Sequence, residues 1–241
     1  MIRQKAILKE LGEFFESGEG RLWSPTCFER YSSCPFRFFL ERVLHVYPLE
    51  IPEEEIEKVD EGTLIHTVLE RFFTERKRDN RLPLSGSTEE MHLIRAIADE
   101  VYEQWETEGP IGNRALWEIR KGKTSPLWDR FIEEEGQFRE EGLMPTYFEF
   151  LIGDSSGDEQ EAAMPALLFN DVDQSEIAVS GKVDRIDIGA GKFRIIDYKN
   201  SRSEVHYRNL LKNENIGTVN FQIPVYLAAA REHLAKRYRV N

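Results

Sequence analysis

The sequence is poor in three features: cysteine, long apolar runs and positive charge. Its 241 residues contain two cysteines, Cys27 and Cys34, which build no disulfide framework and fit a reducing, cytoplasmic compartment. None of its apolar runs reaches the roughly 20 residues that a membrane-spanning helix needs. The N-terminus also lacks the apolar stretch of a secretory signal. We therefore expect no membrane as a partner.

The shortage of positive charge limits how the protein can bind nucleic acid. Lys and Arg number 32 and Asp and Glu 44, so that the net charge is −12. Such a surface repels phosphates, which excludes non-specific binding over the whole molecule. Any nucleic-acid function requires a local site with metal ions, or help from a partner. The chain is otherwise of ordinary globular composition, with 40% hydrophobic and 32% charged residues.

The periodicity of apolar residues divides the chain into a helical first half, residues 1–143, and an α/β second half, residues 144–241, within one expected domain. The first half has helical spacing at 61–78, 89–108, 112–121 and 126–141. The second half has strand patterns at 144–153, 166–170, 176–189 and 192–199, and helical patterns at 203–213 and 218–239. The last helix ends without a closing element, which predicts a fragment of a longer protein.

The stretch GKVDRIDIGAGKFRIIDYKN, residues 181–200, places carboxylates and lysines inside two apolar runs. Its central glycines predict a turn, which puts Asp184 and Asp197 on adjacent strands of a hairpin. Alternate side chains of a strand point to opposite faces, so Asp197 and Lys199 share a face about 7 Å apart. In the first run the apolar phase switches at Asp184 and Arg185, which predicts a bulge or a bend.

Two carboxylates on neighbouring strands can share one divalent cation. Mg²⁺ and Mn²⁺ prefer oxygen ligands, neutralise the charge that develops when a phosphodiester is hydrolysed, and lower the pKa of a bound water. A lysine beside them can orient the attacking water or stabilise the transition state. Asp184, Asp197 and Lys199 are therefore candidate catalytic residues. The alternative is a pair of salt-bridged, exposed carboxylates on an edge hairpin.

The order Gly-x-x-Asp, turn, apolar-apolar-Asp-x-Lys resembles the core of the PD-(D/E)XK nuclease superfamily, specifically its RecB-like branch. Four further segments resemble that branch in the same order: SPTCFERYSSCPFRFFLERVL, EGTLIHTVLERFF, PTYFEFLIG and FQIPVYLAA. They are similar to the nuclease domains of AddB-type helicase–nuclease subunits and, after these, to CRISPR-associated RecB-like exonucleases. The resemblance implies an α/β, restriction-endonuclease-like fold. Its mixed central sheet of four or five strands is flanked by helices, with an N-terminal helical region.

The resemblance also implies a metal site. His66 matches a histidine that completes a metal shell with Asp184 and Asp197, and the main-chain carbonyl of Tyr198 is expected to be a further ligand. Lys199 matches the catalytic lysine. A neutral imidazole suits Mn²⁺ better than Mg²⁺ and weakens metal binding below about pH 6.5. The alternative for His66 is a core histidine on an apolar helix face.

Three other charged residues receive weaker assignments. Glu149 matches a glutamate on the strand before the first core aspartate; a solvent-facing strand residue is the alternative. Arg185 and Asp187 are expected to be structural rather than catalytic.

Residues on the DNA side of the site also follow from the resemblance. Gln222 and Tyr226 lie four apart on one helix and match residues that line the DNA-binding face, or else belong to an ordinary packing face. Arg202 lies in a basic stretch from Lys199 to Lys212, which is either a phosphate-facing rim or a solvated basic helix.

One departure concerns cysteine. In these relatives a cysteine in the Cys-Pro position and three later cysteines hold a [4Fe–4S] cluster, and Cys34 matches the first of them. Such a cluster needs four thiolates, and this sequence has no cysteine after Cys34. We expect no intact cluster in this chain. Either the sequence ends before those ligands, or this member has lost them.

Together these features predict a Mg²⁺- or Mn²⁺-dependent DNA exonuclease. By resemblance it is the module of a helicase–nuclease that acts on single-stranded ends in DNA end processing and recombinational repair. One alternative is a stand-alone CRISPR-associated RecB-like exonuclease. Another is a non-catalytic DNA-binding scaffold with the same fold, against which the intact His66, Asp184, Asp197 and Lys199 argue.

Overall fold

A computed structural model describes residues 22–48, 58–108, 111–137, 142–153, 163–170, 176–200, 204–212 and 214–238. Its helices are α1 (Pro25–Ser33), α2 (Pro35–Phe38), α3 (Lys58–Arg78), α4 (Thr88–Glu108), α5 (Arg114–Gln137), α6 (Glu204–Leu210) and α7 (Gln222–Tyr238), with a π-helical turn at Phe39–Val43 after α2. The strands are β1 (Met144–Ile152), β2 (Ala163–Met164), β3 (Leu167–Asn170), β4 (Glu176–Val179), β5 (Gly181–Gly189) and β6 (Lys192–Ile196). None of the described helices is both long and apolar enough to cross a bilayer.

The main sheet has the strand order β2-β1-β5-β6. Because β1 and β2 run parallel whereas β5 and β6 run antiparallel, the sheet is mixed. Strands β3 and β4 form a separate antiparallel pair. The α/β fold with a mixed, helix-flanked sheet is thereby confirmed.

The predicted hairpin is formed by β5 and β6, which pair from Arg185 opposite Ile196 to Gly189 opposite Lys192. Ala190 and Gly191 connect the strands with φ angles of 51° and 72°. Two consecutive positive φ angles are the geometry of the tight turn that suits the twist of a hairpin. The turn fixes the register that brings the ends carrying Asp184 and Asp197 together.

The described residues fall into two compact units that interleave along the chain. The first unit comprises the described residues of Met1–Tyr47, Phe150–Lys182 and Val205–Arg237, and the second comprises those of Pro48–Glu149, Val183–Glu204 and Tyr238–Asn241. In the second unit, helices α3, α4 and α5 share one apolar core. The buried stripe of α3 consists of Leu64, Val68, Leu69, Phe72 and Phe73. Burial of each such side chain contributes roughly 1.5–3 kcal/mol, which holds the helix that carries His66.

Helix α5 corrects the prediction of two helices at 112–121 and 126–141. It runs unbroken from Arg114 to Gln137 with Pro126 inside it. An internal proline costs about 3 kcal/mol, because it removes a backbone hydrogen bond. Packing compensates for this loss: Trp117 and Trp128 are buried, and the Thr124 hydroxyl lies 2.8 Å from the Tyr102 hydroxyl. Tertiary contacts thus carry the helix through a segment whose local sequence favours a break.

Strand β5 corrects the prediction of a bulge at Asp184 and Arg185. The strand is continuous over Gly181–Gly189, and its residues are buried on both faces from Val183 to Asp187. The apolar phase changes because Arg185 and Asp187 occupy buried positions on one face, while Asp184 and Ile186 occupy the other. A buried ion pair, rather than a backbone irregularity, therefore interrupts the apolar pattern.

Candidate metal centre

Three side chains of the second unit converge from three different elements. His66 comes from α3, Glu149 from β1 and Asp184 from β5, and their ligand atoms all lie within 4.8 Å of one another. The His66 Nδ1 atom is 3.3 Å from Asp184 Oδ1 and 3.6 Å from Glu149 Oε1. The two carboxylate side chains are only 6% and 9% exposed, respectively. Two carboxylates withdrawn from water beside one imidazole form a donor set for a divalent cation.

The protonation of His66 reflects this surplus of negative charge. Hydrogen bonds with Asp184 and with Glu149 raise the pKa of His66 to about 10, although burial acts in the opposite direction. Without a metal ion, the imidazole therefore carries a proton at neutral pH and balances part of the carboxylate charge. A cation that binds through His66 must displace this proton, so metal affinity rises with pH.

Glu149 reaches the cluster through an unusual backbone conformation. Its φ angle is 49°, in the left-handed region that residues with a side chain seldom adopt. The burial pattern of β1 changes phase at this point: Pro145 and Tyr147 are buried before Glu149, and Phe150 and Ile152 are buried after it. The solvent-facing alternative for Glu149 is therefore wrong. Neither local propensity nor alternation in PTYFEFLIG signals such a conformation.

The main chain at Tyr198 contacts both His66 and Asp184. Its amide donates to Asp184 Oδ2 at 2.6 Å, and its carbonyl oxygen lies 3.2 Å from His66 Nε2. This carbonyl accepts a hydrogen bond from the protonated imidazole and thereby fixes the orientation of the ring. The peptide groups of Tyr198 therefore orient two members of the cluster. The role of this carbonyl as a further metal ligand stays a prediction.

The Tyr198 side chain is itself held by a buried charge network. Its hydroxyl accepts a hydrogen bond from Arg185 Nη1 at 3.2 Å. Arg185 binds Asp187 through two hydrogen bonds of 2.6 and 2.9 Å and lies 2.8 Å from Glu135. Arg194 donates to the same Asp187 carboxylate at 2.7 Å. These contacts give Arg185 and Asp187 a structural place behind the cluster, as the sequence led us to expect.

Asp197 and Lys199 form an ion pair directly after β6. The Lys199 ammonium is 2.7 Å from Asp197 Oδ2 and 2.9 Å from Oδ1. Burial raises the pKa of Asp197, Lys199 counteracts this shift, and the nearby Asp184 charge adds to it. Among the described residues, Asp197 is not part of the close group of His66, Glu149 and Asp184. The carboxylate instead anchors a lysine whose side chain is 38% exposed.

Gln222 and Tyr226 belong to the first unit, on α7. The Gln222 amide nitrogen donates to the Tyr226 hydroxyl at 3.3 Å, so the two do share a helix face. The backbone amides of Phe221 and Gln222 donate to Glu29 Oε1, which satisfies donors at the start of the helix. A Cβ at Gly181 would lie 2.9 Å from the Tyr226 ring, so this close approach requires glycine. Contact of Gln222 and Tyr226 with DNA stays a prediction.

Two further predicted positions are Arg202 and Cys34. Arg202 lies outside the described residues. Cys34 is a free, half-buried thiol that caps α2, since its sulfur accepts from the Arg37 amide at 3.4 Å. Its place in an iron–sulfur cluster of a longer chain stays a prediction.

Comparison with known proteins shows the family to which the chain belongs. The sequence model of the PD-(D/E)XK nuclease superfamily matches residues 22–240, and the chain belongs to that superfamily. The resemblance drawn from the motifs is thereby confirmed.

The curated relatives define the likeness more narrowly, because each is a subunit of an ATP-dependent helicase/deoxyribonuclease. The Clostridium acetobutylicum protein is 24% identical over an alignment of 252 positions, which covers 92% of this chain and 20% of that relative. The Clostridioides difficile and Pelotomaculum thermopropionicum proteins are 25% and 26% identical over 215 residues, covering 85% of this chain and 17% of each relative. The chain thus spans about a fifth of the length of the curated relatives it matches.

Proposed function

We propose that this chain is the nuclease module of a helicase–nuclease and that it hydrolyses phosphodiester bonds at DNA ends, as a Mg²⁺- or Mn²⁺-dependent exonuclease. The observation that carries the proposal is the convergence of His66, Glu149 and Asp184 within 4.8 Å. The Asp197–Lys199 pair, which follows β6 and interacts electrostatically with this group, supports it.

The donor set fits a hard or borderline divalent cation. Carboxylate oxygens suit Mg²⁺ and Mn²⁺, and the imidazole nitrogen favours Mn²⁺ between the two. His66, Glu149 and Asp184 would hold the ion, with Asp197 and the Tyr198 carbonyl as further proposed ligands. When bound, the ion supplies positive charge against the phosphate and acidifies a water molecule.

The remaining chemistry belongs to the chain's own residues. Lys199 is the proposed phosphate-binding cation, because its ammonium is partly exposed while Asp197 fixes its direction. Donors held in place before the reaction stabilise the charge that develops in a phosphoryl transition state, typically by a factor of about 10²–10³ per group. The buried Arg185 network keeps Tyr198, and with it Asp184 and His66, in a fixed arrangement.

The electrostatics of the chain support a division of labour. With a net charge of −12, the isolated module would bind DNA weakly. The relatives are named as subunits of an ATP-dependent helicase/deoxyribonuclease, and this chain spans about a fifth of their length. We therefore propose that a helicase domain or subunit delivers single-stranded ends to this site, in cytoplasmic DNA end processing and recombinational repair.

The test is a nuclease assay with matched charge variants. The purified protein is incubated with end-labelled single- and double-stranded DNA in Mn²⁺, Mg²⁺ or EDTA, beside Asp184→Asn and Lys199→Ala. The controls are Glu103→Gln and Lys123→Ala, which change the same kinds of charge at exposed positions of the second unit. We expect metal-dependent shortening from the ends, slowed about 10²-fold or more in the site variants and unchanged in the controls. Equal rates in site variants and controls would contradict the proposal and favour a scaffold.

A further inference from the structure

A cavity of about 230 Å³ opens beside the metal centre, within the second unit. It lies between α3, α5 and the segment that follows β6. Sites for drug-sized ligands measure roughly 300–1,000 Å³, so this cavity suits a single planar ring system rather than an extended chain.

The walls of the cavity are apolar and partly aromatic. Ile65 and Leu69 line it from α3, and Trp128 and Phe131 line it from α5. Side chains spaced three or four residues apart normally interlock with those of a neighbouring helix and leave no space between the two helices. Between these residues of α3 and α5 a cavity remains. The Trp128 indole is fixed by a 3.2 Å hydrogen bond to the Tyr102 hydroxyl.

The proposed catalytic groups also line the cavity. His66, Tyr198 and Lys199 all line it, and the Phe131 ring packs edge-on to the Tyr198 ring at 6.1 Å between centroids. Leu127 also lines it and is 56% exposed. A phosphodiester group bound at Lys199 carries a sugar and a base on each side. One of those bases can therefore reach an apolar cavity that the same lysine lines.

We propose that this cavity, the base pocket, receives the base of an unpaired nucleotide next to the scissile phosphate. This inference rests on the proposed function and gives a physical reason for a preference for single strands. A base must leave its stack to enter, which is least costly when it is already unpaired. Contacts with aromatic and apolar walls accept every base, because each has a π-face. The base pocket thus selects single-stranded DNA without reading its sequence.

Two glycines of the second unit provide a matched pair of variants. Gly62 lines the base pocket on α3, whereas Gly122 lies exposed on α5 and is not among the residues that line it. A Cβ added at either position meets no atom within 4 Å. Gly62→Phe therefore fills the pocket, and Gly122→Phe adds the same ring to a helix elsewhere.

The test compares binding of two fluorescent oligonucleotides by anisotropy in Ca²⁺: oligo-dT and the same chain with abasic residues at its end. Stacking on one base changes affinity by about tenfold. We expect wild type and Gly122→Phe to bind oligo-dT about tenfold more tightly than the abasic chain. In Gly62→Phe the two affinities should become equal, because the pocket is occupied.

Three outcomes would overturn the base pocket: equal binding of both oligonucleotides by wild type, no measurable binding of either, or an undiminished preference in Gly62→Phe. A melting temperature several degrees lower in Gly62→Phe than in Gly122→Phe would also overturn it, since a segment of the protein would then fill the space. Failure of the proposed function would appear differently, as absence of cleavage by wild type in Mn²⁺ while the binding comparison still reports on the pocket.

Discussion

Strand β5 carries two buried charge clusters, one on each face, and they differ in how their charges balance. On one face, the guanidinium groups of Arg185 and Arg194 meet the carboxylates of Asp187 and Glu135. On the other face, Asp184 and Glu149 share one imidazole.

The charges of the first cluster balance one another. In the second cluster, two carboxylates face one imidazole, so that negative charge is in surplus even when His66 is protonated. A buried charge is tolerated only when it is paired or binds a metal ion. The balanced cluster is therefore a structural support, and the unbalanced one is the site that we propose for a cation. Adjacent residues of one strand, Asp184 and Arg185, thus belong to clusters of different charge balance.

Removal of the central cation of the balanced cluster should have the largest effect on stability. Arg185→Met keeps much of the side-chain volume but leaves Asp187 and Glu135 buried without their main partner. Breaking a buried ion pair in this way costs about 3–5 kcal/mol. Urea unfolding at neutral pH in EDTA should show this loss. A loss below about 1 kcal/mol would contradict the structural role of the network.

Because the unbalanced cluster has surplus negative charge, a bound metal ion should stabilise the folded protein. A ligand that binds only the folded state stabilises it by about 2.7 kcal/mol at one hundred times its Kd. Saturating Mn²⁺ should therefore raise the Tm of wild type by several degrees. In Asp184→Asn the rise should vanish, and the Tm in EDTA should lie below that of wild type because the protonated His66 loses its main hydrogen-bonding carboxylate. The Glu103→Gln variant serves as the control. A full Mn²⁺ shift in Asp184→Asn would show that the ion binds elsewhere.

The unbalanced cluster should also make stability depend on pH through His66. The folded-state pKa of this imidazole is about 10, above the ordinary value of 6.5. Its contribution to stability is therefore fully present below pH 6.5 and is lost as pH rises toward 10. In EDTA, the stability difference between wild type and His66→Gln should shrink by at least about 1 kcal/mol from pH 6 to pH 9.5. A difference that stays constant in urea unfolding at each pH would contradict the raised pKa of His66 in the folded state.

Arg194 offers the smallest of these effects and refines the picture of the balanced cluster. It donates one hydrogen bond to Asp187, which Arg185 already binds twice. Arg194→Met should therefore cost only about 1 kcal/mol in urea unfolding. A cost as large as that of Arg185→Met would mean that the two guanidinium groups are equally essential to the network.

Sequence patterns anticipated part of this arrangement. The turn glycines and the alternation on either side of them indicated the hairpin, and the ordered motifs singled out His66 and Asp184. The hairpin signals depend only on residues close in sequence. His66 and Asp184 stand out because a histidine or a carboxylate on an apolar element has few structural uses. The ion pair of Lys199 with Asp197 does not follow from strand alternation, because β6 ends at Ile196 and both residues lie after it.

The parts that escaped prediction depend on contacts distant in sequence. Glu149 enters the cluster through a left-handed backbone that no propensity indicates. Helix α5 continues past Pro126 because Thr124 and Trp128 pack against Tyr102. The phase change in β5 suggested a bulge, since a buried arginine with carboxylate partners on other elements cannot be inferred from one strand.

The most direct measurement is calorimetric titration of the metal-free protein with Mn²⁺ at pH 7.5, for wild type, Asp184→Asn, Glu149→Gln and Glu103→Gln. The account predicts one bound Mn²⁺ in wild type and in Glu103→Gln. It also predicts an affinity at least about tenfold lower in each of the other two, because each removes a ligand of the same ion. Unchanged affinity in both Asp184→Asn and Glu149→Gln would contradict the claim that these carboxylates and His66 hold a single cation.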